Sequence, residues 1–122
     1  DQITISGHDY DTPDGTVVRD FIHVEDIAFA FTLALGYLRK GGASTILNLG
    51  SGETHTIGEV IKEVEIATGK KINIVYGPRI VGDISYSRAD ISLAEKILGW
   101  EPVHTLRLIV RDGWNSYVKR TH

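Results

Sequence analysis

Two charged side chains stand at positions in the sequence where they could bind a ligand. Arg19 ends a long polar loop and precedes an extended run, and its planar guanidinium could donate two parallel hydrogen bonds to a phosphate. The alternative for Arg19 is a weak surface ion pair with its neighbour Asp20. Asp83 follows Gly82, and a carboxylate there could bind sugar hydroxyls or could simply close a turn.

The sequence carries no complete motif for a catalytic centre, a metal site or a dinucleotide-binding loop. Gly50-Ser51-Gly52 could open such a loop, but the dinucleotide fingerprint requires glycine where His55 stands. None of the five tyrosines has a lysine four residues later, and the five histidines lack the spacing of metal ligands. We therefore expect this chain to hold no catalytic residue, no cofactor and no metal ion of its own.

Composition excludes several classes of protein. The chain has 122 residues, of which 42% are hydrophobic and 24% charged, as in an ordinary globular domain. The net charge of -3 argues against non-specific nucleic-acid binding, and no apolar stretch is long enough to span a membrane. The absence of cysteine excludes a disulfide scaffold and fits a cytoplasmic location.

The elements that must position Arg19 and Asp83 alternate between strands and helices. Strands or extended runs are predicted at 3–5, 21–24, 46–49 and 72–75. Helices are predicted over 25–39, from Thr56 to Gly69, from Asp90 to Gly99 and from Thr105 to about Lys119, with Thr56, Asp90 and Thr105 as N-caps. This alternation indicates the α/β class, with Arg19 and Asp83 in or beside loops.

The first predicted helix is unusual for a small independent domain. Residues 27–35 are apolar nearly all round the helix, although a surface helix should keep one polar face. Either the chain oligomerises through this helix or a further domain packs on it, and we favour the further domain. The sequence opens at Asp1 without methionine, so we interpret it as part of a longer protein.

Several segments follow one another in a recognisable order. The longest is Asp9-Tyr-Asp-Thr-Pro-Asp-Gly-Thr-Val-Val-Arg-Asp-Phe-Ile-His-Val-Glu-Asp-Ile-Ala28. It is followed by Ile46-Leu-Asn-Leu-Gly-Ser-Gly52, Gly69-Lys-Lys-Ile72, Pro78-Arg79, Gly82-Asp83, Ala89-Asp90 and Leu98-Gly-Trp100. Together they resemble the C-terminal part of the UDP-glucose 4-epimerase family, in the extended short-chain dehydrogenase/reductase superfamily.

The resemblance implies an α/β substrate-binding part of a Rossmann-type enzyme. Such enzymes interconvert UDP-glucose and UDP-galactose by NAD-mediated oxidation and reduction at C4. Their catalytic tyrosine and lysine and their NAD loop lie in an N-terminal domain that this chain lacks. Residues 1–122 would then form the nucleotide-sugar-binding portion of a homodimeric parent. Residues 24–50 would pack on the NAD-binding domain, and neither nucleic acid nor membrane is an expected partner.

The resemblance also assigns roles to individual positions. The implied substrate-binding residues are Thr4, Ile5, Ser6, Arg19, Val81, Gly82, Asp83 and Ser87. Arg19 corresponds to the arginine that binds the diphosphate, and Asp83, after Gly82, to the acid that holds the ribose hydroxyls. The strand residues Thr4 to Ser6 correspond to the segment that contacts uridine.

Three positions bear on how this chain would differ from the family. Ser6 stands where the family usually has an aromatic ring, and Ile80 where it usually has a second arginine. Arg79 or Arg88 could substitute for that arginine. Ser87 occupies the position of the sugar-pocket gate, where a small residue implies room for UDP-N-acetylhexosamines. The alternative is that Ser87 belongs to a shifted loop.

Two other functions remain open from the sequence. One is a related nucleotide-sugar epimerase, dehydratase or decarboxylase, which would share Arg19 to Asp26 but usually lack the Asp-Thr-Pro-Asp-Gly insertion. The other is a stand-alone, non-catalytic nucleotide-sugar-binding or interaction module that self-associates through the helix over 27–38.

Overall fold

A computed structural model describes residues 2–121 and has the predicted α/β composition. Its elements are β1 (Gln2–Ser6), β2 (Val18–Arg19), α1 (Val24–Arg39), β3 (His55–Thr56), α2 (Ile57–Thr68), β4 (Asn73–Gly77), α3 (Ser92–Leu98) and α4 (Leu106–Thr121). None of the described helices is both long and apolar enough to cross a membrane.

The strands form two small sheets. β1 pairs in parallel with β4 along its whole length, and β2 pairs antiparallel with β3. On its other side Val18 forms a bridge with Tyr86, because the Val18 N–H donates to Ser85 O at 2.8 Å and Val18 O accepts from the Ser87 N–H at 3.1 Å. This pairing fixes Arg19, the second residue of β2, next to the segment that carries Ser87.

Both ends of α2 and the C-terminal end of α3 follow the predicted capping chemistry. The Glu59 N–H donates to Thr56 Oγ1 at 3.1 Å and the Thr56 N–H donates to Glu59 Oε2 at 2.9 Å, which completes a capping box. Gly69 and Gly99 end the two helices with φ values of 67° and 64°, a left-handed conformation that glycine adopts without steric cost. These predictions are confirmed.

The predicted extended run at 21–24 is wrong. The strand lies earlier, at Val18–Arg19, and α1 already begins at Val24. The reason is the side chain of His23, whose Nδ1 accepts a hydrogen bond from the Glu25 N–H at 3.0 Å and so caps the helix. Histidine is not among the preferred N-cap residues, so the predicted helix starts at residue 25, one residue later than the observed one.

Asp90 is not the N-cap of α3, contrary to the prediction. The cap position is Ile91, with helical φ and ψ values of -93° and -2° and no side-chain cap bond. Asp90 accepts from the N–H and hydroxyl of Ser92, at 3.0 and 2.6 Å, in a turn that precedes the helix. α4 begins at Leu106, one residue after Thr105 as expected.

The predicted strand at 46–49 is also wrong, because no described strand lies beside it to complete a hydrogen-bonded ladder. Ile46 is 89% exposed, while Leu47 and Leu49 pack against the core of Ala30, Ala94 and Trp100. The apolar pattern therefore indicated the burial of two side chains, Leu47 and Leu49, but not the pairing of a strand.

The exposed surface of α1 is strongly apolar. Five of its large apolar side chains are at least half exposed: Val24, Phe29, Phe31, Leu35 and Leu38. The opposite side of the helix is held by Ala30 in the core and by Asp26, which is buried. A helix with apolar residues on both sides needs a second covering surface, as its sequence indicated.

Candidate functional site

Arg19 and Asp83, the two ligand-binding candidates, lie in direct contact. Nη2 of Arg19 donates to Asp83 Oδ1 at 2.5 Å and to Ile84 O at 2.8 Å, and Nη1 donates to Val18 O at 2.8 Å. Both side chains are one quarter exposed. These contacts occupy three of the five N–H donors of the guanidinium, so within the described residues the others are available to an anion.

The alternative ion pair between Arg19 and Asp20 is wrong. Oδ1 of Asp20 accepts hydrogen bonds from the N–H and the hydroxyl of Ser51, at 2.6 and 2.8 Å. Successive residues of a strand point to opposite faces, so Arg19 and Asp20 reach different neighbours.

Arg19 and Ser87 line one open cleft of about 620 Å³. The other lining residues are Asp20, Leu47, Asn48, Leu49, Arg88, Ala89 and Asp90. The volume is within the range of small-molecule sites, and the lining combines apolar side chains with a few charged and hydroxyl groups, as such sites do. Asp83 does not line the cleft but contacts Arg19 from behind it.

The loop before Asp83 is a turn with little contact to the rest of the chain. Val81 is fully exposed, and Gly82 has a φ of 84°, which favours glycine. The Asp83 N–H donates to Ile80 O at 3.1 Å and closes the turn. Val81 and Gly82 are therefore exposed to a ligand that enters beside Arg19.

The predicted uridine-contacting strand lies apart from this cleft. Ile5 is 5% exposed and its side chain is in the interior, whereas Thr4 is exposed and Ser6 is half-buried. Alternation along β1 places the side chains of Thr4 and Ser6 on the opposite face from Ile5. Of these three residues, Ile5 could contact a ligand through its backbone alone.

The two arginines suggested as substitutes for an arginine at Ile80 have different surroundings. Nε of Arg79 donates to Asp9 Oδ1 at 2.7 Å, and its guanidinium lies 4.1 Å from the centre of the Tyr10 ring. The hydrogen bond that Arg79 donates to the Asp9 carboxylate raises the pKa of Arg79 above its usual value. Arg79 is thus committed to the loop at Asp9, whereas Arg88 lines the cleft with Arg19.

A buried cluster that the sequence did not reveal joins α1 to the segment before α4. The rings of His23 and His104 stack 4.1 Å apart, and His104 Nδ1 donates to Asp26 Oδ1 at 2.8 Å. The carboxylate of Asp26 also accepts from the N–H groups of Val103 and His104, each at 3.2 Å. No local spacing predicts this cluster, because its halves are brought together only by folding.

The same cluster places His23, Glu25 and His104 close enough to be considered as metal ligands. The two rings are only 17° from parallel, so their in-plane lone pairs do not converge on a point about 2 Å from both nitrogens. Nδ1 of His23 already accepts the Glu25 N–H, which leaves the ring proton on Nε2, facing Asp112 at 3.5 Å. His23 therefore caps α1, and the cluster connects α1 to the segment before α4.

The loop that precedes β2 is fixed by Asp14, and this contact carries a testable prediction. Asp14 accepts from the N–H and hydroxyl of Thr16, at 2.9 and 2.6 Å, and from the Thr56 hydroxyl at 2.6 Å. Both threonines are buried, so Asp14→Ala would leave their hydroxyls without this acceptor. We expect the free energy of unfolding to fall by about 1–2 kcal/mol in urea denaturation at pH 7. An unchanged midpoint would contradict this role.

The pH dependence of the Asp14 contribution has a defined sign. Burial raises the pKa of Asp14, but hydrogen bonds from Thr16 and Thr56 outweigh burial and leave the pKa below its ordinary value. The stabilisation is therefore complete above the ordinary carboxyl pKa and is lost as the pH falls through the lowered value. The exposed neighbour Asp11 provides the matched control, because Asp11→Ala should leave the midpoint at pH 7 unchanged.

Comparison with known proteins relates this chain to one enzyme family. Residues 2–50 match the model of the NAD dependent epimerase/dehydratase family. The UDP-glucose 4-epimerase of Rhizobium meliloti is 42% identical over 116 residues, which are 95% of this chain and 35% of that protein. The chain is related to the UDP-glucose 4-epimerases. It spans about a third of the length of this relative, so the epimerase resemblance in its sequence is confirmed for the family but not for a whole enzyme.

Solved structures of epimerases extend this relation to the fold. The UDP-glucose 4-epimerase from Stenotrophomonas maltophila, with bound NAD and formylated UDP-arabinopyranose, superposes with a TM-score of 0.90 at 43% identity. The match covers 99% of this chain and 37% of that one. The UDP-Glc/GlcNAc 4-epimerase from Campylobacter jejuni gives a TM-score of 0.87 at 36% identity, over 98% of this chain and 36% of that one. The chain thus has the α/β fold of part of an extended short-chain dehydrogenase/reductase epimerase.

Proposed function

We propose that this chain is the C-terminal, nucleotide-sugar-binding portion of a UDP-glucose 4-epimerase. The observation that carries the proposal is the cleft in which Arg19 still has N–H donors free for a diphosphate and which Ser87 also lines. A guanidinium suits this task because its planar N–H groups match the oxygens of phosphate. The relative from Stenotrophomonas maltophila, which holds NAD and a UDP-sugar, supports the assignment of the ligand class.

Among the described residues, the glycine-containing turn at 50–52 is not suited to bind NAD. The glycine-containing turn at Gly50 and Gly52 directs its Ser51 N–H at the carboxylate of Asp20, 2.6 Å away. The N–H group that a pyrophosphate would need at this turn is therefore already paired, and the segment leads into β3 rather than directly into a helix. In the proposed whole enzyme NAD supplies oxidation and re-reduction at sugar C4, and this chain binds and orients the substrate.

Within the proposed site, Arg19 binds the diphosphate, and Asp83 orients the guanidinium of Arg19. Asp83 receives an Arg19 N–H at 2.5 Å, which holds the guanidinium towards the cleft while Asp83 keeps other lone pairs for ribose hydroxyls. Arg88, which lines the same cleft, is the candidate for the second cation that Ile80 does not provide. Thr4, Ile5 and Ser6 would reach the uridine only if the ligand extends beyond this cleft to β1.

The apolar face of α1 is the proposed contact with the NAD-binding portion of the enzyme. Phe29, Phe31, Leu35 and Leu38 of α1 and Ile46 after it are all at least half exposed. A contiguous apolar surface of this kind marks an interface, and the chain covers only about a third of its relatives, so a large partner portion is available to cover it. We place residues 24–50 at this interface, in a cytoplasmic and homodimeric parent enzyme.

A hybrid enzyme tests the proposed function. The N-terminal portion of the Stenotrophomonas maltophila enzyme would be joined to this chain at the boundary given by their superposition. We expect the hybrid to bind NAD and to convert UDP-glucose to UDP-galactose. The 122-residue chain alone should not catalyse this conversion. A folded, NAD-loaded hybrid without conversion would contradict the proposal. Tight UDP binding by the chain alone would instead favour the stand-alone binding module.

Substrate range in the hybrid depends on Ser87. Its side chain is small and exposed in the cleft, so we expect the hybrid to turn over UDP-N-acetylglucosamine as well as UDP-glucose. Ser87→Tyr should remove at least 90% of the activity on UDP-N-acetylglucosamine and preserve the activity on UDP-glucose. A tenfold loss corresponds to a steric clash of about 1.4 kcal/mol between the tyrosine ring and the acetyl group. Equal loss on both substrates, measured by initial rates, would mean that Ser87 does not face the sugar.

A further inference from the structure

The carboxylate of Asp20 binds three donors from two separate segments of the chain. Oδ1 accepts from the Ser51 N–H at 2.6 Å and the Ser51 hydroxyl at 2.8 Å, and Oδ2 accepts from the Ala89 N–H at 3.3 Å. Asp20 itself directly follows Arg19 at the end of β2. One side chain thus connects three stretches of backbone that are far apart in the sequence.

Close packing around Asp20 shows that this contact depends on a glycine. A Cβ atom added at Gly50 would lie 2.4 Å from Asp20 Oδ2 and 2.7 Å from the Cβ of Ala89. Both distances are shorter than real Cβ contacts, so the turn can approach the carboxylate only because residue 50 has no side chain.

The connected stretches are the walls of the cleft. Residues 47–49 form one wall immediately before the Gly50 turn, and residues 87–90 form the other. Arg19 lies between them, next to Asp20. Ser87 is tied to β2 by its own hydrogen bond to Val18 O, and Ala89, two residues later, is tied to Asp20.

We propose that Asp20 is a positioning residue for nucleotide-sugar binding, which holds both walls of the cleft so that Arg19 and Ser87 face the same ligand. This inference rests on the proposed function and adds a residue to which neither the sequence nor the family resemblance gave a role in the site. The three donors stabilise the carboxylate charge and are directed at it from the two walls, while the adjacent Arg19 supplies the positive charge for the diphosphate. Asp20 acts through Arg19 and the walls and does not itself touch the substrate.

The first test is a kinetic comparison in the hybrid enzyme. Asp20→Asn replaces one acceptor oxygen by a donor that faces an N–H group, so we expect the KM for UDP-glucose to rise about tenfold while kcat changes less than about twofold. Asp11→Asn is the matched control, because Asp11 is an exposed carboxylate that does not line the cleft. Ser51→Ala should give a smaller rise in KM, and its effect should not add to that of Asp20→Asn.

The second test uses the 122-residue chain and does not depend on turnover. The amide protons of Ser51 and Ala89 should exchange with solvent at least tenfold faster in Asp20→Asn than in Asp11→Asn. An unchanged KM in the folded hybrid, or unchanged exchange at both amides, would overturn the role of Asp20. A wild-type hybrid that lacks activity would instead contradict the proposed function, and the exchange measurement would then decide on Asp20 alone.

Discussion

Arg19→Ala in the hybrid enzyme should raise the KM for UDP-glucose about 10- to 100-fold, with a much smaller effect on kcat. A charge-assisted pair between guanidinium and diphosphate contributes about 1.5–3 kcal/mol, and each 1.4 kcal/mol is about a tenfold change in affinity. The diphosphate lies away from the reacting C4 atom, so the loss concerns binding more than chemistry. Steady-state kinetics with UDP-glucose provide the measurement.

Variants of two other arginines test whether the increase in KM is specific to Arg19. Arg79→Ala should leave KM within about twofold, because Arg79 pairs with Asp9 and stacks on Tyr10 outside the cleft. Arg88→Ala should give an intermediate increase, since Arg88 lines the cleft with Arg19. A KM that is unchanged in Arg19→Ala, or an equal increase in Arg79→Ala, would remove Arg19 from the site.

Asp26→Ala should have the largest effect on stability, lowering the free energy of unfolding by about 3–5 kcal/mol. Asp26 is 3% exposed, and its carboxylate accepts from two backbone N–H groups and from the ring of His104. Alanine would leave these buried donors unpaired where the segment 100–104 meets α1. Urea denaturation followed by the fluorescence of the fully buried Trp100, whose indole donates to Asp26 O at 2.9 Å, would measure the loss.

The contribution of Asp26 to stability should also vary with pH. Burial raises the pKa of Asp26, but hydrogen bonds from the His104 ring and from the N–H groups of Val103 and His104 leave it below the ordinary value. Its stabilisation is thus present above the ordinary carboxyl pKa and disappears as the pH falls through the lowered value. Glu25→Ala is the control: this side chain is 71% exposed, and its loss should cost less than about 1 kcal/mol. Equal losses for the two variants would contradict the account.

The parts of the fold that could be predicted from the sequence are those that local chemistry decides. The capping box of Thr56 and Glu59 and the left-handed ends at Gly69 and Gly99 depend only on residues within one or two turns of a helix. The prediction of a strand at 46–49 was wrong because strand formation does not depend on local residues alone. An apolar run indicates burial, but a strand also needs a neighbouring strand, and the described residues do not supply one at Ile46.

The candidate site depends on contacts between distant segments, which local patterns do not contain. Arg19 and Asp83 were each identified from residue type and resemblance, yet their direct contact follows from the pairing of β2 with the segment at Tyr86. Asp20 was considered only as a partner for Arg19, because its real partners, Ser51 and Ala89, come close only in the folded chain. Sequence thus indicated the chemical groups of the site, and the tertiary fold determines which of them act together.

The position of UDP in the hybrid enzyme tests the central claim most directly. Crystals of the hybrid grown with NAD and UDP would locate the diphosphate relative to Arg19. The account predicts phosphate oxygens within hydrogen-bond distance of the Arg19 guanidinium, about 2.7–3.2 Å, in the cleft whose walls Asp20 holds. UDP bound elsewhere, with Arg19 paired only to Asp83 and backbone carbonyls, would contradict it.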